Sequence, residues 1–270
     1  MLIENIGMLH IVAGAAVGFA IGVTGVGGGS LMTPLLLLFG YPPSVAIGTD
    51  LLYAALTKAS GVIAHHRQKT IDWQVVALLS VGSLPAALLT RAALNRNEIT
   101  AVGQGESILT FSLGVMLILT AAMLVLRNRL RESASKTRPN VIFSRLLANK
   151  SKATVIMGII LGVCVTLSSV GAGAFAAAIL MTIYADTSSS KIVGTDIAHA
   201  VPLTFIAGLG YYFAGNVDLM LLLGLLIGSI PAIQLGSRVA DHLPDRLLRG
   251  SLTLLLGGLG AGYLVSSVAI

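Results

Sequence analysis

Gly25-Val26-Gly27-Gly28-Gly29-Ser30 separates two apolar segments, Ile6 to Val23 and Leu31 to Phe39. Each glycine disfavours helix by about 1 kcal/mol relative to alanine, and adjacent glycines leave the backbone bare to a close-packed ligand. The stretch therefore predicts a helix that stops and restarts. The segment after it, about nine residues at 1.5 Å each, reaches less than half of a hydrocarbon core of about 30 Å. It reads as a half-helix.

Working outward, the chain has 270 residues, 55% of them hydrophobic and 10% charged, against roughly 25% charged in an ordinary soluble domain. Such a sequence cannot cover a water-facing surface, and its apolar runs recur from end to end. It predicts an all-α, polytopic membrane helix bundle in the cell (inner, cytoplasmic) membrane. Only Glu4 is charged before the first apolar run, so that run reads as a retained span, not a cleaved signal peptide. The one cysteine, Cys164, reads as a small residue of an apolar run.

Gly40-Tyr41-Pro42-Pro43 predicts a turn and Ser44 to Ala64 a helix, followed by the basic loop His65-His66-Arg67-Gln68-Lys69. His65 and His66 read as interfacial residues, because two adjacent histidines make a poor metal site. The next span runs from Asp72-Trp73 through Gly82-Ser83-Leu84-Pro85 to about Leu89. A polar loop with Arg91, Arg96, Glu98 and Glu106 is expected after it, then a span from Ser107 to Leu126. Between Arg127 and Lys152 eight basic residues stand against the lone acid Glu132. By the positive-inside rule this linker is cytoplasmic. The expected domains are a first membrane repeat (1–126), the basic linker (127–150) and a second membrane repeat (151–270). The formal net charge of +6 is thereby assigned to topology and not to nucleic acid.

The second half repeats the first. Gly194-Thr195-Asp196 matches Gly48-Thr49-Asp50 at an offset of 146 residues (194 − 48), and Gly228-Ser229-Ile230-Pro231 matches Gly82-Ser83-Leu84-Pro85 at the same offset. Asn216-Val217-Asp218 falls on Thr70-Ile71-Asp72. The glycine breaks align with a slip of two, Gly27 on Gly171 and Gly29 on Gly173. With about five membrane segments per half, the basic loop at His65 lies inside and its uncharged counterpart, Phe213 to Val217, outside. The chain thus reads as two inverted-topology repeats with discontinuous helices at the Gly-rich breaks.

Irregular backbone survives at membrane depth only where protein buries it or a wet cavity lines it. Each segment after a break starts a helix whose first N–H groups and positive dipole end face the break, which favours anions. Candidate substrate-binding residues are therefore Gly27, Gly28, Gly29, Ser30, Ser169, Gly171, Ala172 and Gly173, with Thr49 and Thr195 downstream and Lys58 as a cationic contact. Asp50, Asp196 and His199 lie in apolar helices, where charge is costly and usually functional. They are candidates for proton coupling, with mutual pairing that holds the bundle as the structural alternative. The sequence shows no GxSxG, HExxH, paired-cysteine or GxxxxGK[ST] pattern. No enzyme, cofactor or metal site is expected.

On Gly25-Val-Gly-Gly-Gly-Ser30 with Pro34, Tyr41-Pro-Pro43, Val45-Ala-Ile-Gly-Thr49, Asp72-Trp73 and their weaker second-half copies, the chain resembles the sulfite exporter TauE/SafE family of membrane permeases. The resemblance implies secondary transport of a small organosulfur or sulfur oxyanion, such as sulfite, sulfoacetate or another sulfonate, or of a related carboxylate. Expected partners are that anion and the lipid bilayer, with a homodimer left open. Two alternatives stand beside this reading: a cation- or proton-linked carrier that uses the Asp50 and Asp196 pair, and a membrane assembly factor that transports nothing.

Overall fold

The computed structural model describes residues 2–24, 29–100, 104–134, 149–171, 173–240 and 245–268. Among them all regular structure is helical, in ten helices. The first half contributes α1 (Leu2–Thr24), α2 (Gly29–Leu38), α3 (Pro43–Arg67), α4 (Trp73–Thr100) and α5 (Gln104–Ala134). The second contributes α6 (Lys150–Ser168), α7 (Ala174–Ile183), α8 (Ser189–Phe213), α9 (Leu219–Ala240) and α10 (Asp245–Val268). Trp73–Asn95, Lys150–Ser168, Ser189–Phe213 and Leu219–Gly236 are long and apolar enough to cross a membrane. Large apolar side chains such as Val81, Leu89, Leu235 and Leu254 face outward, as a lipid surround requires. This is a membrane protein.

Two helices are short for local reasons. Helix α2 has 10 residues, about 15 Å, and it ends at the Phe39-Gly40 turn, where Gly40 has φ 84°. Helix α7 also has 10 residues. It is preceded by Ser169 (φ 56°), Gly171 (φ 119°) and Gly173 (φ 145°), a run of positive φ that no helix can contain. Residues 25–28, which carry Gly27 and Gly28, lie outside the described residues, as does Ala172.

The helix after Trp73 is longer than expected. Helix α4 continues through Leu89 to Thr100, so Arg91 and Arg96 are helical and not in a polar loop. Nothing between Leu89 and Thr100 breaks a helix, and Arg91 is satisfied in place: Nε donates to Gly210 O at 3.3 Å, and the guanidinium lies 4.3 Å from the centroid of the Tyr211 ring. Helix α5 likewise runs past Leu126 to Ala134, because the basic residues that follow are good helix formers.

The most extensive helix pairs are α1 with α9, α4 with α6, α3 with α8 and α5 with α10. The first two are one interface built twice. Gly14 and Gly18 of α1 meet Leu225 and Ser229 of α9, while Gly158 and Gly162 of α6 meet Leu79 and Ser83 of α4. In return Gly228 faces Ile11 and Ala15, and Gly82 faces Val155 and Ile159. Each α1 residue corresponds to the α6 residue 144 positions on (158 − 14), and α4 corresponds to α9 at 146 (225 − 79). The α3–α8 pair obeys the same rule: Gly48 packs on Asn216 O and Tyr211, Gly194 on Thr70 O and His65.

These contacts leave no room for a methyl group. A Cβ at Gly228 would lie 1.9 Å from Ile11 O, and one at Gly82 would lie 2.2 Å from Val155 O, both backbone atoms. Overpacking of this kind typically costs 1–3 kcal/mol. Gly228→Ala and Gly82→Ala should each lower the melting temperature in detergent by several degrees, whereas Gly258→Ala, with nothing within 4 Å, should leave it unchanged. Equal melting temperatures for all three would refute the packing argument.

Candidate functional site

Helices α3 and α8 place the two Gly-Thr-Asp motifs at the centre of the bundle. Thr49, Asp50, Thr195 and Asp196 are all buried. The threonines make reciprocal bonds across the halves: Thr49 Oγ1 accepts from Asp218 N at 3.3 Å, and Thr195 Oγ1 accepts from Asp72 N at 2.9 Å. Thr195 also donates to Lys191 O. Sequence reasoning placed both threonines in a binding site, and their hydroxyls here tie each half to the other.

The acids are surrounded unequally. One oxygen of Asp50, Oδ2, accepts from Thr33 N at 3.2 Å and from Thr33 Oγ1 at 2.5 Å, both on α2. Ser169, the left-handed residue that ends α6, brings its hydroxyl to the same carboxylate. That hydroxyl makes no hydrogen bond within 3.5 Å, and Asp50 Oδ1 has no partner either. Asp50 thus bonds to the first turn of α2 and lies near the residue after α6. For Asp196 the position equivalent to Thr33, 144 residues on, is Ala177, which has no side-chain donor, and among the described residues Asp196 Oδ1 has no hydrogen bond.

One lysine serves both acids. Lys58 lies within electrostatic reach of Asp50, Asp196 and His199, and its equivalent in the second half is Thr204. His199 is fully buried, with Nε2 2.8 Å from Ser83 Oγ and no partner for Nδ1. The equivalents of His199 and Ser83 are Tyr53 and Ser229, which also face each other. Among the described residues the centre is therefore two matched polar clusters with one ammonium, Lys58, within electrostatic reach of both acids. Of the predicted site residues, the structure brings Asp50, Lys58, Ser169, Asp196 and His199 together. Gly29 and Ser30 open α2, and Gly171 and Gly173 precede α7.

Residues that the sequence did not single out complete the arrangement. Thr33 sits one turn into α2 and Ser83 lies in a motif recognised only for its repeat; each needed a partner from a distant helix to gain meaning. Near one end of α8, Lys191 Nζ is 3.1 Å from Asp72 Oδ2. A small cleft here is lined by Asp72, Tyr184, Lys191 and Thr195. Partial burial would raise the Asp72 carboxyl, but bonds from Lys191 and Val75 N outweigh it and hold the group below its usual 3.8. The matching place in the first half has Val45 for Lys191, and there His10 Nε2 and Tyr41 O–H lie 2.7 Å apart.

A charge-bearing centre inside an apolar helical bundle is the kind of site that polytopic membrane transporters carry. Residues 10–263 match the profile of the family described as Sulfite exporter TauE/SafE, and the chain belongs to that family. It is similar to the "Probable membrane transporter protein YjnA" of Bacillus subtilis (strain 168), 40% identical over 239 residues, 88% of this chain and 92% of the relative. A second B. subtilis protein, "Probable membrane transporter protein YdhB", is 28% identical over 252 residues, 92% of this chain and 96% of its own length. "Probable membrane transporter protein MJ0441" of Methanocaldococcus jannaschii is 25% identical over 268 residues, 93% of each chain. No solved structure matches the chain.

The side chains of Lys191 and Asp72 are 42% and 33% exposed, so their coupling should stay below about 1 kcal/mol. Because folding depresses the Asp72 pKa, its contribution is full above 3.8 and is lost as pH falls through the lower folded value. A double-mutant cycle of Asp72→Asn and Lys191→Gln, followed by thermal unfolding in detergent, should show that coupling at neutral pH and its decline in acid.

Proposed function

We propose that this transporter is a secondary carrier of a small anion, an organosulfur or sulfur oxyanion such as sulfite, sulfoacetate or a sulfonate, or a related carboxylate, across the cytoplasmic membrane. The observation that carries the reading is Lys58, a half-buried cation within electrostatic reach of Asp50, Asp196 and His199, in a bundle whose short helices α2 and α7 open with N–H groups that favour negative charge. The substrate sits between the residues around Gly29 and Ser30 and those around Ser169 to Gly173, with Lys58 as its charge partner.

In this reading the halves, 1–126 and 151–270, are inverted-topology repeats joined by a cytoplasmic linker. Two things support it: the reciprocal contacts at constant sequence offset, and the concentration of basic residues at the linker and the His65 loop. The substrate reaches each side as the halves move relative to each other. The cleft at Asp72, Lys191 and Thr195 adjoins Asp196 in sequence and forms the approach from one side.

A ligand that binds only the folded protein raises its stability, by about 2.7 kcal/mol at one hundred times Kd. Sulfite, sulfoacetate or methanesulfonate should raise the melting temperature saturably, and chloride at equal ionic strength should not. In proteoliposomes Lys58→Gln should weaken apparent affinity for the transported anion at least tenfold, about 1.4 kcal/mol. Absence of both stabilisation and uptake with every anion would favour an assembly factor.

A further inference from the structure

The two ends of the bundle carry equivalent layers of contact, and they differ in one ionic bond. At one end Tyr184, which follows α7, brings its O–H within 2.8 Å of Thr154 Oγ1 on α6. At the other Tyr41, which follows α2, brings its O–H within 2.7 Å of His10 Nε2 on α1. His10 and Thr154 are equivalent positions, 144 residues apart (154 − 10). In each half, therefore, the chain leaving the short helix is tied to the same point of the long helix before it. The starts of α4 and α9 repeat in the same way. Val75 N donates to Asp72 Oδ1 at 3.3 Å and Leu221 N to Asp218 Oδ1 at 3.0 Å, while Thr195 and Thr49 accept from the backbone N–H groups of those two aspartates.

What one end adds is Lys191. Its Nζ lies 3.1 Å from Asp72 Oδ2, so it joins the first turn of α8 to the residue before α4. Helix α4 belongs to the first half and α8 to the second, and the bond spans the boundary across which the halves move. The pair is partly exposed and lines a cleft whose other walls include Val75, Leu180, Ile192 and Thr195, all buried. Thr195 precedes Asp196 in the chain, which puts the buried side of the cleft one residue from the central acids. The equivalent of Lys191 is Val45 (191 − 146), an apolar side chain that cannot pair with Asp218. Contacts shared by both ends cannot favour one over the other, whereas this ion pair can.

We propose that the Asp72–Lys191 pair is the gate of one end of the transporter, closed in this structure, and that it breaks when the halves move to open the cleft down to Thr195. A partly exposed pair holds weakly, so the gate opens readily and salt loosens it. Removing the pair shifts the balance toward the state open at this end by up to about fivefold. The Val45 end, which has no such bond to lose, keeps its own contacts. The inference rests on the relative movement of the halves put forward above and not on which substrate is carried.

Thiol reactivity in detergent-purified protein tests it with no substrate present. On a Cys164→Ala background, Val75→Cys reports from beneath the pair and Leu221→Cys from the equivalent place at the other end (75 + 146); both positions are buried. With a charged methanethiosulfonate reagent, Lys191→Gln and Asp72→Asn should each speed modification of Val75→Cys by about two- to fivefold. The double variant should add nothing further, and Lys191→Arg should keep the slow rate. Raising sodium chloride from about 0.05 M to about 1 M should speed the reaction in the parent and not in Lys191→Gln. None of these changes should speed Leu221→Cys. If both cysteines react but Val75→Cys does so at one rate in every form, the gate is overturned and the movement of the halves stands. An equal gain at Leu221→Cys also overturns the gate, because it reports general loosening. If neither cysteine reacts in any form, the halves do not open and both readings fail.

Discussion

Inside a lipid bilayer, helices gain nothing by hiding apolar side chains from tails that are equally apolar. Association depends instead on close backbone approach and a few polar contacts. This protein meets the constraint with glycine. Gly14, Gly18 and Gly228 bring α1 against α9, Gly82, Gly158 and Gly162 bring α4 against α6, and in several cases a carbonyl oxygen occupies the place of the missing side chain. These two matched interfaces frame α3 and α8 between them. Gly48 and Gly194 then let each of those helices pack against the loop that follows the other. The centre is set by backbone contact, and the functional groups are carried there.

That placement makes the charges informative. An acid or a lysine in a membrane helix is expensive, and one that is also unpaired at an oxygen is more so. The reciprocal bonds of Thr49 to Asp218 N and of Thr195 to Asp72 N account for the threonines as structural ties. No comparable tie explains Asp50 Oδ1, Asp196 Oδ1 and His199 Nδ1. The repeat makes the point sharper, since a duplicated sequence could have kept two lysines or none. It has Lys58 in one half and Thr204 in the other, and this departure from symmetry leaves two acids facing one lysine.

The same comparison of halves separates the two ends. One end closes on the ion pair of Lys191 and Asp72, and the other has Val45 in place of the lysine and a His10–Tyr41 contact close by. Ends so different in chemistry would respond differently to salt and acidity, which suits a membrane transporter whose two faces meet different solutions.

Much of the architecture was legible in the sequence because its signals are local. Low charge and recurrent apolar runs require a membrane helix bundle, Tyr41-Pro42-Pro43 starts α3, Ser169 to Gly173 cannot stay helical, and a fixed offset pairs Asp50 with Asp196. The polar loop expected after Leu89 failed because Arg91 finds its acceptor on Gly210, 119 positions away, and no window of sequence shows that. For the same reason Thr33 and Ser83 passed unnoticed as ligands of Asp50 and His199. The glycine stretch at residues 25–30 predicts a broken helix by itself, since backbone preference resides in each residue, and its residues 25–28 lie outside the described ones. Only the tertiary structure decided that a carboxylate, Asp50, meets the helix that follows this stretch, because hydrogen bonds and charge pairing depend on which distant side chains packing brings within a few ångströms.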